Sequence, residues 1–122
     1  MSEQKNTESE ELMQHGMELL AEGKPGQAAC AFRAAIDVDA ANYEAHHGLV
    51  RALRDAGRLE QSVGAALALT ALTPHDPLAH TALSISLQTA GHIEEAEAAS
   101  ARARVAEWRI QLKTPPDDGP RG

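Results

Sequence analysis

The chain has 122 residues, 43% hydrophobic and only 2% aromatic, with 11 Lys and Arg against 18 Asp and Glu for a formal charge of −7. That length supports one domain with an aliphatic core, and the excess of carboxylates repels phosphate backbones and anionic lipid, which argues against nucleic-acid and membrane-surface binding. Cys30 stands alone, so an internal disulfide is excluded, and no signal-type or membrane-spanning apolar stretch is present; a cytoplasmic or equivalent reducing location is expected.

Residues 1–8 are polar and acidic and are expected to be disordered. Helical apolar spacing then begins, with Leu12, Leu19 and Leu20 predicting a helix over about 8–22 that ends at Gly23. Pro25 opens a second helix, 25–38, whose stripe is Ala28, Phe32, Ala35 and Ile36; Cys30, among Ala28, Ala29 and Ala31, reads as a small core residue. Leu49, Val50 and Leu53 mark a helix over 43–56 that stops at Gly57. Val63, Ala66, Leu67 and Leu69 mark the next, 59–72.

Asp76 is a good N-cap and Pro77 a good first helical residue for a helix over 77–90 carrying Leu83, Ile85 and Leu87. Gly91 ends it, and the last helix runs over 93–112 before a disordered Pro/Gly tail completes residues 111–122. The scarcity of strand-favouring residues and the abundance of alanine predict an all-α fold.

Gly23, Gly57 and Gly91 recur every 34 residues, and so do His46 and His80. Three helical hairpins follow, at 9–42, 43–76 and 77–110. The same register bears on the six histidines. A zinc site needs several converging ligands, commonly from a helical pair at i and i+4. No two histidines have that spacing, and adjacent His46 and His47 point about 100° apart on a helix. Packing is therefore the expected role of His46 and His80, and no metal or cofactor is expected. Ser84, Ser86 and Ser100 lack a glycine elbow and an acid/base partner, and "GKPG" at 23–26 lacks the Lys-Ser/Thr of a phosphate loop, so the chain reads as no enzyme.

Unit one supplies Leu12, His15, Gly16 and Leu19, then Ala28 and Phe32; unit two supplies His46, Leu49, Val50 and Leu53, then Ser62, Ala66 and Pro74. Unit three supplies His80, Leu83, Ser84 and Leu87, then Ala96 and Ser100, with Trp108 in the proline place. On this period and pattern, residues 9–110 resemble tetratricopeptide repeats. The resemblance implies a right-handed α-solenoid of three antiparallel hairpins whose first helices line a concave, peptide-receiving groove. The groove places fall on Glu10, Met13, Met17 and Leu20; on Glu44, His47, Arg51, Arg54 and Asp55; and on Leu78, Thr81, Ile85, Gln88 and Thr89.

These places point to a non-catalytic protein-protein interaction module, an adapter or assembly factor. Its ligand would be a peptide with apolar anchors flanking an acidic residue that Arg51 and Arg54 pair with. The bland alternative makes both arginines a solvated face paired with Asp55 and Glu44. A secretion-type or assembly chaperone and a self-associating scaffold are the other functional readings. One use of the family clamps the carboxylate end of a chaperone tail with lysine, asparagine and arginine; here the corresponding places hold Met13, Met17, Gly48, Leu78 and Ala82, none able to clamp, which argues against an Hsp70/Hsp90 co-chaperone role.

Unit two's second helix offers Val63, Leu67 and Leu72 to a successor, whereas unit three has Glu97, Ala101 and Ala106, so the array is expected to end there. Trp108 is expected to fold back on units two and three. The alternative is an exposed handle of Trp108, Ile110 and Leu112 used for self-association.

Overall fold

The computed structural model describes residues 2–113. Six helices follow in order: α1 (Ser2–Ala21), α2 (Pro25–Val38), α3 (Tyr43–Asp55), α4 (Leu59–Leu72), α5 (Pro77–Thr89) and α6 (Ile93–Lys113). No strand occurs among the described residues. The fold is an all-α solenoid of three antiparallel hairpins, α1–α2, α3–α4 and α5–α6.

Each first helix turns into its partner through the same backbone device. Gly23, Gly57 and Gly91 have φ of +76°, +79° and +89°, the left-handed region in which a Cβ would be strained. The following amide reaches back five residues each time, with Lys24 N–H donating to Leu19 O at 2.9 Å, Arg58 to Leu53 at 2.9 Å and His92 to Leu87 at 2.8 Å. Between hairpins the linkers close by side-chain capping. Asn42 accepts from Ala45 N–H at 3.1 Å and Asp76 from Leu78 N–H at 3.0 Å, which satisfies amides that the starts of α3 and α5 leave unpaired.

His46 and His80 complete these linkers. His46 Nε2 donates to Ala40 O at 2.9 Å and His80 Nε2 to Pro74 O at 2.7 Å, in each case six residues back. Both rings therefore tie a linker carbonyl to the following helix, in addition to packing. Because the carbonyl can only accept, the proton sits on Nε2, and the buried Nδ1 of His80 makes no hydrogen bond.

Packing is tighter along the inner row than the outer. Helix α1 meets α3 and α3 meets α5, whereas α2, α4 and α6 reach one another only through those inner helices. The α1–α3–α5 row is thus the concave side. One buried cluster contains Met13, Leu19, Phe32, Leu49 and Leu53, and a second Val50, Val63, Ala66, Leu83 and Leu87. Burying each large aliphatic or aromatic side chain contributes about 1.5–3 kcal/mol.

Four expectations are corrected by this arrangement. Residues 3–8 are not disordered: α1 starts at Ser2 and its first half is held by Ser9, fully buried, which donates to Ala35 O at 2.8 Å and accepts from Asn42 Nδ2 at 2.8 Å. Leu67 and Leu72 are exposed rather than covered by unit three, because that unit stacks on unit two through α5 and leaves the far side of α4 open. Cys30 is exposed while Ala28, Ala29 and Ala31 are buried, since those three face α1 or α3 and Cys30 does not.

Trp108, 65% exposed, does not fold back. No proline interrupts α6 before Pro115, so the helix runs rigidly to Lys113 and carries Trp108, Ile110 and Leu112 past the body, the last of these 75% exposed. Its buried face is alanine alone, Ala96, Ala99, Ala103 and Ala106. The tail from residue 114, expected to be disordered, lies outside the described residues.

Candidate binding groove

Helices α1 and α3 leave a cavity of about 290 Å³ between them. Met13, Met17 and Leu20 from α1 face Glu44, His47, Gly48 and Arg51 from α3 across it. The spacing explains the meeting: 13, 17 and 20, like 44, 47, 48 and 51, lie on single faces of their helices. Met13 is only 6% exposed and belongs to the core, so it forms the floor; Met17 is exposed on the wall. Two methionines give a surface that can repack around different side chains.

Charge lies at the rims. Arg51 Nε stands 3.6 Å from Asp55 Oδ2, an exposed i,i+4 pair that costs little to break. His47 Nε2 is 3.9 Å from Asp76 Oδ2, the N-cap carboxylate of α5. Past Met13 and Glu44 the concave surface continues into a more polar cavity of about 340 Å³ whose wall carries Glu10, Asp39 and Tyr43. The groove therefore runs from a cationic end at Arg51 to an acidic end at Glu10.

Of the groove places read from the sequence, Met13, Met17, Leu20, His47 and Arg51 come together around one cavity. Leu78, Thr81, Ile85 and Gln88 lie on α5, all four exposed, and do not line it. Arg54 is not a free groove cation. Half-buried, it donates from Nη1 to Ser86 Oγ at 3.4 Å. Ser62 Oγ sits 2.8 Å from both Val50 O and Ser86 Oγ. A hydroxyl has one proton, so Ser62 spends its own on Val50 and Ser86 donates to Ser62. The resulting chain, Arg54 to Ser86 to Ser62 to Val50 O, seals the α3–α4–α5 seam with three successive donors.

Sequence reasoning missed Gly48 as a structural residue. A Cβ there would overlap the ring of Phe32, and one on Gly16 would lie 2.8 Å from Phe32 Cε1, so both glycines make room for the ring. A helical glycine opposite the chain's one phenylalanine was the available signal.

Among the described residues no group of three His, Cys, Asp or Glu is placed to hold a metal ion. No helix among them is long and apolar enough to cross a membrane.

Comparison with known proteins agrees with this architecture. The tetratricopeptide repeat family model matches residues 19–85. Comparison with curated proteins gives no match. Among solved structures, "MamA MSR-1 C2" is similar with a TM-score of 0.71 at 21% identity over 78% of this chain, which spans 55% of that one. The Yersinia enterocolitica type III secretion translocator chaperone SycD, in an alternative dimer, is similar with a TM-score of 0.74 at 17% identity over 90% of this chain and 80% of that one. At these identities the likeness concerns the fold.

Proposed function

This chain belongs to the tetratricopeptide repeat family, and from that premise we propose that it is a non-catalytic protein-interaction module that takes a peptide segment of another protein into the α1–α3 groove. The observation that supports this most is the cavity itself, apolar in its walls, with Arg51 held at its rim only by an exposed pair. An aliphatic side chain of the ligand would enter between Met13, Met17 and Leu20, with a neighbouring carboxylate on Arg51 through a charge-assisted hydrogen bond. Glu10 and Glu44 at the other end disfavour a uniformly acidic ligand. Adapter or assembly-factor work in a reducing compartment such as the cytoplasm suits a chain whose one thiol, Cys30, is exposed and has no second cysteine to pair with.

The experiment is affinity capture from native lysate with the unaltered chain, with Met17→Ala/Arg51→Ala, and with Arg33→Ala on α2 as a control outside the groove. Partners should be lost from the double variant and kept by the control. Identical sets from all three would remove the groove from the function.

A further inference from the structure

The C-terminal half of α6, together with the α4–α5 linker, carries a second surface whose charge is opposite to that of the rest of the chain. Residues 1–97 hold 15 Asp and Glu against 6 Lys and Arg, whereas residues 98–113 hold Arg102, Arg104, Arg109 and Lys113 against Glu107 alone. Arg102, Arg109 and Lys113 border a trough made of two adjoining cavities, about 300 Å³ and 460 Å³, that share His75, Ala106 and Arg109. Its floor is apolar, from Ala101 and Val105 to Ile110 and Leu112, and among the described residues no Asp or Glu lines either cavity.

Helix α6 lines the trough along one side, facing Pro74 and His75 of the α4–α5 linker. On its surface, Ala101, Val105 and Arg109 form one i, i+4 row and Arg102, Ala106 and Ile110 the next, the ridge-and-groove relief against which another helix packs. From Ala101 to Lys113 the surface is about 18 Å long at 1.5 Å per residue, matching a partner helix of about three turns.

We propose that this trough docks an acidic amphipathic helix of another protein, with aliphatic residues on the Ala101–Val105–Ile110 floor and carboxylates on Arg102, Arg109 and Lys113. Charge selects this occupant over its competitors. A second copy docking trough to trough would bring cations against cations. An extended anionic surface, lipid or nucleic acid, would meet the acidic remainder of the chain as well, whereas a short helix touches only the cationic end. The site is separate from the α1–α3 groove and does not depend on that reading.

The test titrates the full chain with a synthetic three-turn peptide of Leu and Glu on opposite faces, and with its Lys-for-Glu counterpart, using Trp108 fluorescence and calorimetry. The Glu peptide should bind saturably, more weakly as salt rises, and the Lys peptide at least about tenfold more weakly, a difference of about 1.4 kcal/mol. Arg109→Glu/Lys113→Glu should reverse that preference, with Lys113→Glu alone as the milder variant; Met17→Ala/Arg51→Ala should leave it unchanged. Equal affinity for both peptides, or no binding of the Glu peptide below about 1 mM, would overturn the proposal. So would its loss in the groove variant, tighter binding to phosphatidylserine vesicles than to the peptide, or a dimer in sedimentation that the charge-reversed variant dissolves.

Discussion

The ring of Phe32 on α2 fills the space left by the missing side chain of Gly48 on α3, so that one residue's bulk is matched to another's absence across a repeat boundary. Phe32 also fills the place of Gly16 on α1. The next repeat inverts the arrangement: 34 residues on, the ring place holds Ala66, fully buried, the Gly16 place holds Val50, 1% exposed, and the Gly48 place holds Ala82. Volume is conserved while its location is exchanged, which is how a core with one phenylalanine stays packed.

Gly48→Ala should therefore destabilise the fold by about 1–3 kcal/mol, the usual cost of overpacking a filled core, despite alanine's better helix propensity. Phe32→Leu in the same chain should recover part of the loss. Urea denaturation checks both, and a neutral or stabilising Gly48→Ala would show that the ring has room to move.

Much of this architecture was legible because its causes are local. The 34-residue recurrence of turn glycines, the prolines at 25 and 77 and the Asp76 cap placed α2 to α5 to within one residue at every boundary. What escaped depends on contacts distant in sequence. The beginning of α1 is held by a serine that reaches Ala35, 26 residues away, and nothing in the polar segment around it announces that bond. The solvent-facing side of Leu67 follows from α4 and α6 being kept apart by α5, and that of Trp108 from α6 running past the body. Residues 13, 17, 20, 47 and 51, which the family resemblance placed in the groove, line one cavity, whereas the role of Arg54 escaped because its partner Ser86 lies on the next hairpin.

The buried serine chain predicts non-additivity. Ser62→Ala leaves Val50 O and Ser86 Oγ each short of a partner and should cost about 1–3 kcal/mol. Adding Ser86→Ala removes one of the stranded groups, so the double variant should be more stable than the two single losses summed, with a coupling of about 0.5–2 kcal/mol. Strict additivity in a double-mutant cycle by chemical denaturation would mean the hydroxyls act independently.

Gly57 tests the turn device. With φ at +79° and no atom near a built Cβ, the only obstacle to a side chain there is backbone conformation. Gly57→Ala should cost about 1–2 kcal/mol, the penalty of placing an L-residue in the left-handed region, and Gly57→Asn less. Equal midpoints for the alanine and asparagine variants in thermal unfolding would contradict a conformational origin.

The His92–Glu60 pair sets a pH dependence. His92 Nε2 lies 2.9 Å from Glu60 Oε2, linking the α5–α6 turn to the start of α4. The hydrogen bond and charge of Glu60 raise the His92 pKa above 6.5, opposed by partial desolvation and helped by Glu95. A histidine whose folded pKa is raised binds its proton more tightly in the native state. The stability it contributes is present in full below its unfolded value of about 6.5 and is lost as pH rises through the folded value. Glu60→Gln should move the His92 titration downward in proton NMR. The stability gap between Glu60→Gln and the parent should be widest about one pH unit below the unfolded histidine value, where the imidazole is charged. By pH 8 the gap should close. Because the imidazole is exposed, raising the salt concentration should shrink the difference, and a gap that persists at pH 8 or ignores salt would assign it to something other than this pair.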